Sequence, residues 1–170
     1  MNQMKTIKVE KVTLNIGAGK DQKVLEKGVK LLKSLTGIEP VKTITNKRIQ
    51  GWGLRPGLPI GCKITLRGKQ ALDMLERVIY AKDNVLKESY FDNNGNISFG
   101  IAEYVDIKDA KYDVDTGMMG LQVSITLTRP GFRVRDRQQK KARIPKAHRI
   151  SKEESIEYFK NNYNVKLGEE

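Results

Sequence analysis

Between Asn46 and Lys69 the chain places Lys47, Arg48, Arg55, Lys63, Arg67 and Lys69 with no carboxylate among them; between Arg129 and Arg149 it places nine basic residues against Asp136 alone. Cations gathered without neutralising acids suit a polyanion, and nucleic acid is the commonest one available. Of 32 basic and 20 acidic residues, 15 and one respectively lie in these two segments, which therefore carry +14 and leave the remainder at −2. A uniformly lysine-rich surface would spread the excess evenly. Arg133, Arg135 and Arg137 alternate after Gly131, so in an extended chain the three guanidiniums would point one way and track a phosphate backbone. The same stretch also suits a basic tail that orders only on RNA.

Other chemistries find no constellation. Cys62 is the only cysteine and His148 the only histidine, which excludes an internal disulfide and a zinc site built from several thiolates or imidazoles. Neither has a partner at the spacing of a nucleophile and base, and the acidic residues show no pattern of a metal pair. Gly17-Ala18-Gly19-Lys20 lies between a strand and a helix, where backbone amides and the helix dipole could hold a phosphate. The nucleotide-binding loop, however, needs a glycine five residues before its Gly-Lys and a hydroxyl residue after it, and Leu14 and Asp21 occupy those places. These glycines read as turn formers that also let RNA approach closely. Trp52, the only tryptophan, sits between Gly51 and Gly53 in the basic loop; it suits stacking on a base or capping a domain edge. No catalytic residue, cofactor or metal is expected.

The elements that must position these groups follow from periodicity. Val12, Leu14 and Ile16 alternate with Lys11, Thr13 and Asn15, predicting a half-buried first strand. Asp21 can cap a helix running to Thr36 before Gly37, with Val24, Leu25, Leu31, Leu32 and Leu35 at helical spacing. Val41 to Thr45 is a β-branched second strand. Asn46 to Pro59 holds too many glycines and prolines for regular structure and reads as a loop. A third strand spans Ile60 to Arg67, apolar on one side and cationic on the other, and a second helix follows Gly68 with a stripe of Ala71, Leu72, Leu75, Val78 and Ile79. After the Asn94-Gly95 turn come strands over Ile97–Ala102 and Leu121–Thr128, and then the basic extension 129–150. Ser151 and Glu154 have capping-box spacing for a helix over 151–164.

That order predicts an α+β fold: one domain over 1–170, with a largely antiparallel sheet of about five strands and helices packed on one face. The other face would carry Lys11, Thr13, Asn15, Thr43, Thr45, Lys63, Thr65, Arg67, Ser98, Gln122, Ser124 and Thr126. Alternation alone fits an ordinary solvated face. The cations and the adjoining loop favour RNA, which is recognised through phosphates, 2′-hydroxyls and exposed bases. At 38% hydrophobic and 31% charged residues the chain is too apolar for a disordered protein and too polar for a membrane span. Met1 to Lys8 lacks a secretory pattern, and a reducing, cytoplasmic setting is expected.

Several motifs together resemble one family, the universal large-subunit ribosomal protein L-five (L-eleven in eukaryotes). They are VTLNIGAG at Val12–Gly19, LTGIEPV at Leu35–Val41, PIGCKITLRG at Pro59–Gly68, FDNNGNISFGI at Phe91–Ile101 and RPGFRV at Arg129–Val134. RPGFRV and the basic tail look like the archaeal and eukaryotic branch, and 170 residues favour the archaeal one. The resemblance implies a structural protein on the ribosome, in the central protuberance of the large subunit. Its implied partners are 5S rRNA, large-subunit rRNA, and neighbouring proteins of the protuberance and the small-subunit head. It also implies that loop 46–59 reaches the transfer RNA in the peptidyl site, and within that loop Arg48, Trp52 and Arg55 are the residues expected to make the contact. The expected rRNA-binding set is Lys11, Thr13, Asn15, Gly17, Lys20, Thr43, Thr45, Lys47, Lys63, Thr65, Arg67, Arg129, Arg133, Arg135 and Arg137. Where the bacterial pattern has Gln and Lys, this chain has Ile38 and Glu39, so contacts of those two residues do not transfer. Two further classes stay open at this level: a free-standing nucleic-acid chaperone and a phosphotransfer enzyme using Gly17 to Lys20.

Overall fold

The computed structural model describes residues 2–168; Met1, Glu169 and Glu170, at the ends of the expected 1–170 domain, lie outside the described residues. Alternating apolar side chains make β1, Lys8–Gly17, the centre of a five-stranded sheet. The order is β2 (Val41–Ile44), β3 (Pro59–Leu66), β1, β6 (Leu121–Thr128) and β5 (Ile97–Ile101), and every neighbouring pair is antiparallel. Because side chains alternate with period two, one face collects Val12, Leu14, Ile16, Ile64, Leu66, Val123 and Ile125, each at most 5% exposed.

Two amphipathic helices cover that face. Helix α1, Gln22–Thr36, is capped by the Asp21 carboxylate and stopped by Gly37 in the left-handed region at φ 72°. It approaches the sheet closely at Gly28, where a Cβ would stand 3.2 Å from Cys62 Sγ and from Ile16 Cγ2. Helix α2, Lys69–Tyr80, buries Ala71, Met74, Leu75, Val78 and Ile79. The expected stripe differs by one residue: Leu72 is 42% exposed and Met74 takes the core position. Position 74 lies three residues after Ala71 and four before Val78, whereas Leu72 falls on the flank. Each fully buried leucine, such as Leu14, Leu25, Leu32 or Leu75, contributes roughly 1.5–3 kcal/mol.

Three elements were not legible in the sequence. Val85–Lys87 (β4) pairs in parallel with Lys166–Gly168 (β7), outside the main sheet. Arg133–Asp136 forms one α-helical turn, α3, so the extended reading of Arg133, Arg135 and Arg137 is overturned: three residues of alternation cannot specify a strand that has no neighbour to pair with. Helix α4, Lys152–Tyr163, begins on the anticipated capping box, with Ser151 and Glu154 reciprocally bonded. Its Phe159 packs edge-on against Phe91, with centroids 6.3 Å apart, which ties the helix to the chain entering β5. No helix among the described residues is long and apolar enough to cross a membrane.

Candidate nucleic-acid interface

Antiparallel register turns the polar halves of these strands into rows on the uncovered face. One row crosses all five strands as Val41, Lys63, Asn15, Gln122 and Gly100; the next crosses four as Thr65, Thr13, Ser124 and Ser98. Directly opposed side chains are close enough to bond. Asn15 Nδ2 donates to Gln122 Oε1 at 2.9 Å, and Ser98 Oγ donates to Ser124 Oγ at 3.1 Å. At one end the floor falls to backbone: Gly17 opposes Gly61, and Gly100 and Gly120 line the shallow depression beside Asn15 and Gln122. A Cβ on Gly61 would lie 2.6 Å from the Ile16 carbonyl oxygen and 3.0 Å from Thr43 Oγ1, so that close approach requires glycine. The face is thus built of short donors and acceptors, with the exposed Lys63 on β3 beside the central strand.

The two basic segments, far apart in sequence, meet at Glu10. Its Oε1 lies 3.1 Å from Arg67 and 4.0 Å from Lys11, and its Oε2 lies 3.9 Å from Arg135. A β-bulge between Val9 and Lys11 places Glu10 out of register with β6. The cue at sequence level was weak: a single acid interrupts the alternation of β1 beside Lys11. Arg135 also donates to Asp136 at 3.0 Å, which raises the guanidinium's pKa and lowers that of the carboxylate.

The anticipated loop 46–59 is more ordered than its breakers suggest. Ile49 and Leu54 exchange backbone hydrogen bonds at 3.0 and 3.1 Å, Gln50–Trp52 forms a 3-10 turn, and Gly53 closes it at φ 66°. Leu54 is buried, and Pro59 already belongs to β3. This miniature hairpin presents Trp52 at its tip, 69% exposed, with Lys47, Arg48 and Arg55 exposed around it. The Lys20 side chain comes close to the tip's Gly53.

Several expected residues change role. Arg129 is 5% exposed: its Nη2 donates to Glu154 at 2.8 Å, and its Nη1 donates to the carbonyls of Arg149 at 3.2 Å and His148 at 3.5 Å. It braces the basic extension internally and leaves the set of RNA-facing residues. Thr45 is also buried, its hydroxyl engaged with the backbone of Lys47. Arg137 Nε donates to the Lys140 carbonyl, while Arg133 stays exposed on α3. Ala18 and Gly19 donate their amides to the Ile60 carbonyl at 2.9 and 3.0 Å, and the Asp21 carboxylate fills the N-terminus of α1. The amides of Ala18, Gly19 and Lys23 are thus already taken, and the Asp21 carboxylate stands where a phosphate would sit, which counts against the phosphotransfer reading of Gly17 to Lys20.

Cys62 is fully buried, and desolvation raises its thiol pKa, as befits a packed residue rather than a nucleophile. No cluster of three metal-ligating side chains occurs among the described residues.

Comparison with known proteins agrees with the motifs. Residues 2–55 match the family described as Ribosomal protein L5, and residues 59–158 match the model of that ribosomal family's C-terminus. The protein of Sulfurisphaera tokodaii called "Large ribosomal subunit protein uL5" is 50% identical over 170 residues, covering 99% of this chain and 96% of the relative. The protein of the same name from Sulfolobus acidocaldarius is 47% identical, covering 98% and 93%. The one from Nanoarchaeum equitans is 45% identical, covering 96% and 97%.

Proposed function

Because this chain belongs to the ribosomal L5 family, structural proteins of the large ribosomal subunit and not enzymes, we propose that its open sheet face binds 5S rRNA. In this reading Thr13, Asn15, Lys63 and Thr65 meet backbone phosphates and ribose hydroxyls, and Lys11, Gly17, Lys20, Thr43, Lys47 and Arg67 extend the contact along its margins. Arg133, Arg135 and Arg137 meet large-subunit rRNA. The hairpin carrying Arg48, Trp52 and Arg55 touches transfer RNA in the peptidyl site. The whole chain acts as one domain, on the cytoplasmic ribosome, in the central protuberance, beside other protuberance proteins and the small-subunit head.

The observation that carries the reading is the pair of rows across the strands, rich in short polar side chains and glycine-floored at one end, with a lysine next to the central strand. A duplex or loop backbone can lie on such a surface, because short hydroxyls and amides reach phosphate and 2′-hydroxyl oxygens without steric obstruction. A salt titration of the complex with 5S rRNA tests it. Log affinity should fall with log salt at a slope of about 0.7–0.9 per phosphate neutralised, and hydroxyl-radical footprints should change when Lys63 is replaced by Ala. A salt-insensitive complex, or a footprint unchanged by that substitution, sinks the reading. A free-standing chaperone would not co-migrate stoichiometrically with large subunits on a sucrose gradient; the proposed protein should.

A further inference from the structure

A second cavity lies apart from the sheet face, between the Asp92–Asn96 turn and the basic extension. It encloses about 370 Å³, and its lining includes Phe132 and Ile144, the amide side chain of Asn96, and the guanidinium-bearing Arg135, Arg143 and Arg149. Small-ligand sites span about 300–1,000 Å³, so its size suits a single compact molecule.

Its walls are held by contacts of their own. Arg129 holds the carbonyls of His148 and Arg149, and His148 Nε2 bonds the Pro130 carbonyl at 2.9 Å. Ser155 Oγ donates to the Gly95 carbonyl at 2.9 Å. A Cβ on Gly95 would lie 2.5 Å from Ile150 Cγ2, so the turn and the extension are in direct contact. A preorganised site avoids the ordering cost that a loose tail would impose on binding.

The cations differ in how far they are committed. Arg135 is occupied with Asp136 and lies 5.5 Å over the Phe132 ring. Arg149 uses Nε on the Ile144 carbonyl at 3.3 Å, leaving its terminal nitrogens. Arg143 is exposed, and no hydrogen bond or ion pair of its side chain occurs among the described residues. An apolar wall, an amide and available guanidiniums ask for a ligand that is flat and polar-edged at one end and anionic at the other. Inorganic phosphate has no flat part, and an apolar side chain would not use the cations. A nucleotide has both.

We propose that this cleft takes one unstacked nucleotide of RNA, its base against Ile144 and the part of Phe132 that Arg135 leaves uncovered, its edge at the Oδ1 of Asn96, whose Nδ2 donates to Asp92 at 3.4 Å, and its phosphate on Arg143 and Arg149. The biological setting rests on the RNA-binding reading above, but the residues are different ones, so the two can fail separately.

The test titrates the full-length protein with AMP, adenosine and inorganic phosphate, following the Ile144 and Phe132 resonances by NMR. AMP should shift those signals saturably, with adenosine and phosphate each at least about tenfold weaker, and Arg143→Ala should weaken AMP about tenfold, as for loss of one charge-assisted hydrogen bond. Asn96→Ala provides a second variant, with circular dichroism reporting whether each remains folded. Overturning results are phosphate binding as well as AMP does, a hexaglutamate peptide filling the cleft while AMP does not, or no shift at these residues at millimolar AMP. Binding of 5S rRNA is measured on the same samples. AMP failing while rRNA binds defeats the cleft alone; rRNA failing while AMP binds defeats the sheet-face reading alone.

Discussion

The guanidinium of Arg129, its side chain 4% exposed, donates to the Glu154 carboxylate at 2.8 Å, and Glu154 in turn accepts the Ser151 amide at 3.0 Å. One carboxylate therefore completes the capping box of α4 and neutralises a cation buried after β6. The arginine's two carbonyl contacts carry the same anchor into the segment before Ile150. A residue in a strongly basic stretch is thereby structural.

Arg129→Ala should accordingly lower the unfolding free energy by about 3 kcal/mol, since it removes the buried end of the ion pair and leaves two carbonyls without their donor. Urea denaturation measures this. In the folded protein the salt dependence of RNA binding should stay unchanged; a shallower slope would mean that Arg129 meets phosphate after all.

Acid should act on the same pair. Burial works against the Glu154 carboxylate, but hydrogen bonds from Arg129 and the Ser151 amide outweigh it and hold its pKa below the ordinary value. A carboxyl with a lowered folded pKa stabilises fully above its unfolded value of about 4.3, and that contribution is lost as pH falls through the folded pKa. Glu154→Gln should therefore narrow the stability difference from wild type below about pH 4 while leaving it fully visible at neutral pH. Denaturant midpoints across pH 2–7 provide the comparison, and a gap that widens in acid would contradict the assignment.

Glu10 is the acid at the junction of the two basic segments, so its removal should help a polyanion. Glu10→Gln should tighten 5S rRNA binding at low salt, and its stability change should stay within about 1 kcal/mol, the range of exposed ion pairs. Weaker binding would show that Glu10 serves to orient Arg67 and Arg135 rather than to dilute their charge.

Trp52 stands on a hairpin whose own bonds do not involve its ring. Trp52→Ala should change stability by no more than about 0.5 kcal/mol and leave 5S rRNA affinity unchanged. Crosslinking of the loop to peptidyl-site transfer RNA in assembled ribosomes should fall.

Gly61→Ala forces a methyl to within 2.6 Å of the Ile16 carbonyl oxygen, a backbone atom that cannot swing aside. A loss of about 1–3 kcal/mol is expected, read by thermal unfolding.

Local pattern was enough for much of this molecule. Period two in Val12–Ile16, Ile60–Leu66, Ile97–Ile101 and Leu121–Thr128 specified the strands and their polar faces, because alternation needs no knowledge of the partner strand. Asp21 and the Ser151–Glu154 pair marked helix starts, since capping is satisfied within one turn of chain. Charge counting located the two basic segments, and the motifs supplied the family. Folding alone could set which strands lie side by side, and hence that Lys63, Asn15 and Gln122 share a row. It also withdrew Arg129 and Thr45 into the interior, turned Arg133–Asp136 into a helical turn, paired Val85–Lys87 with Lys166–Gly168, and brought Glu10 to both basic segments. The hydrogen bonds of the Arg133–Asp136 turn and of the Thr45 hydroxyl are local, but the other outcomes depend on groups distant in sequence competing for the same hydrogen bonds and the same buried space. A guanidinium carries the same charge in either setting, and only its neighbours in space decide whether it faces solvent or a carboxylate.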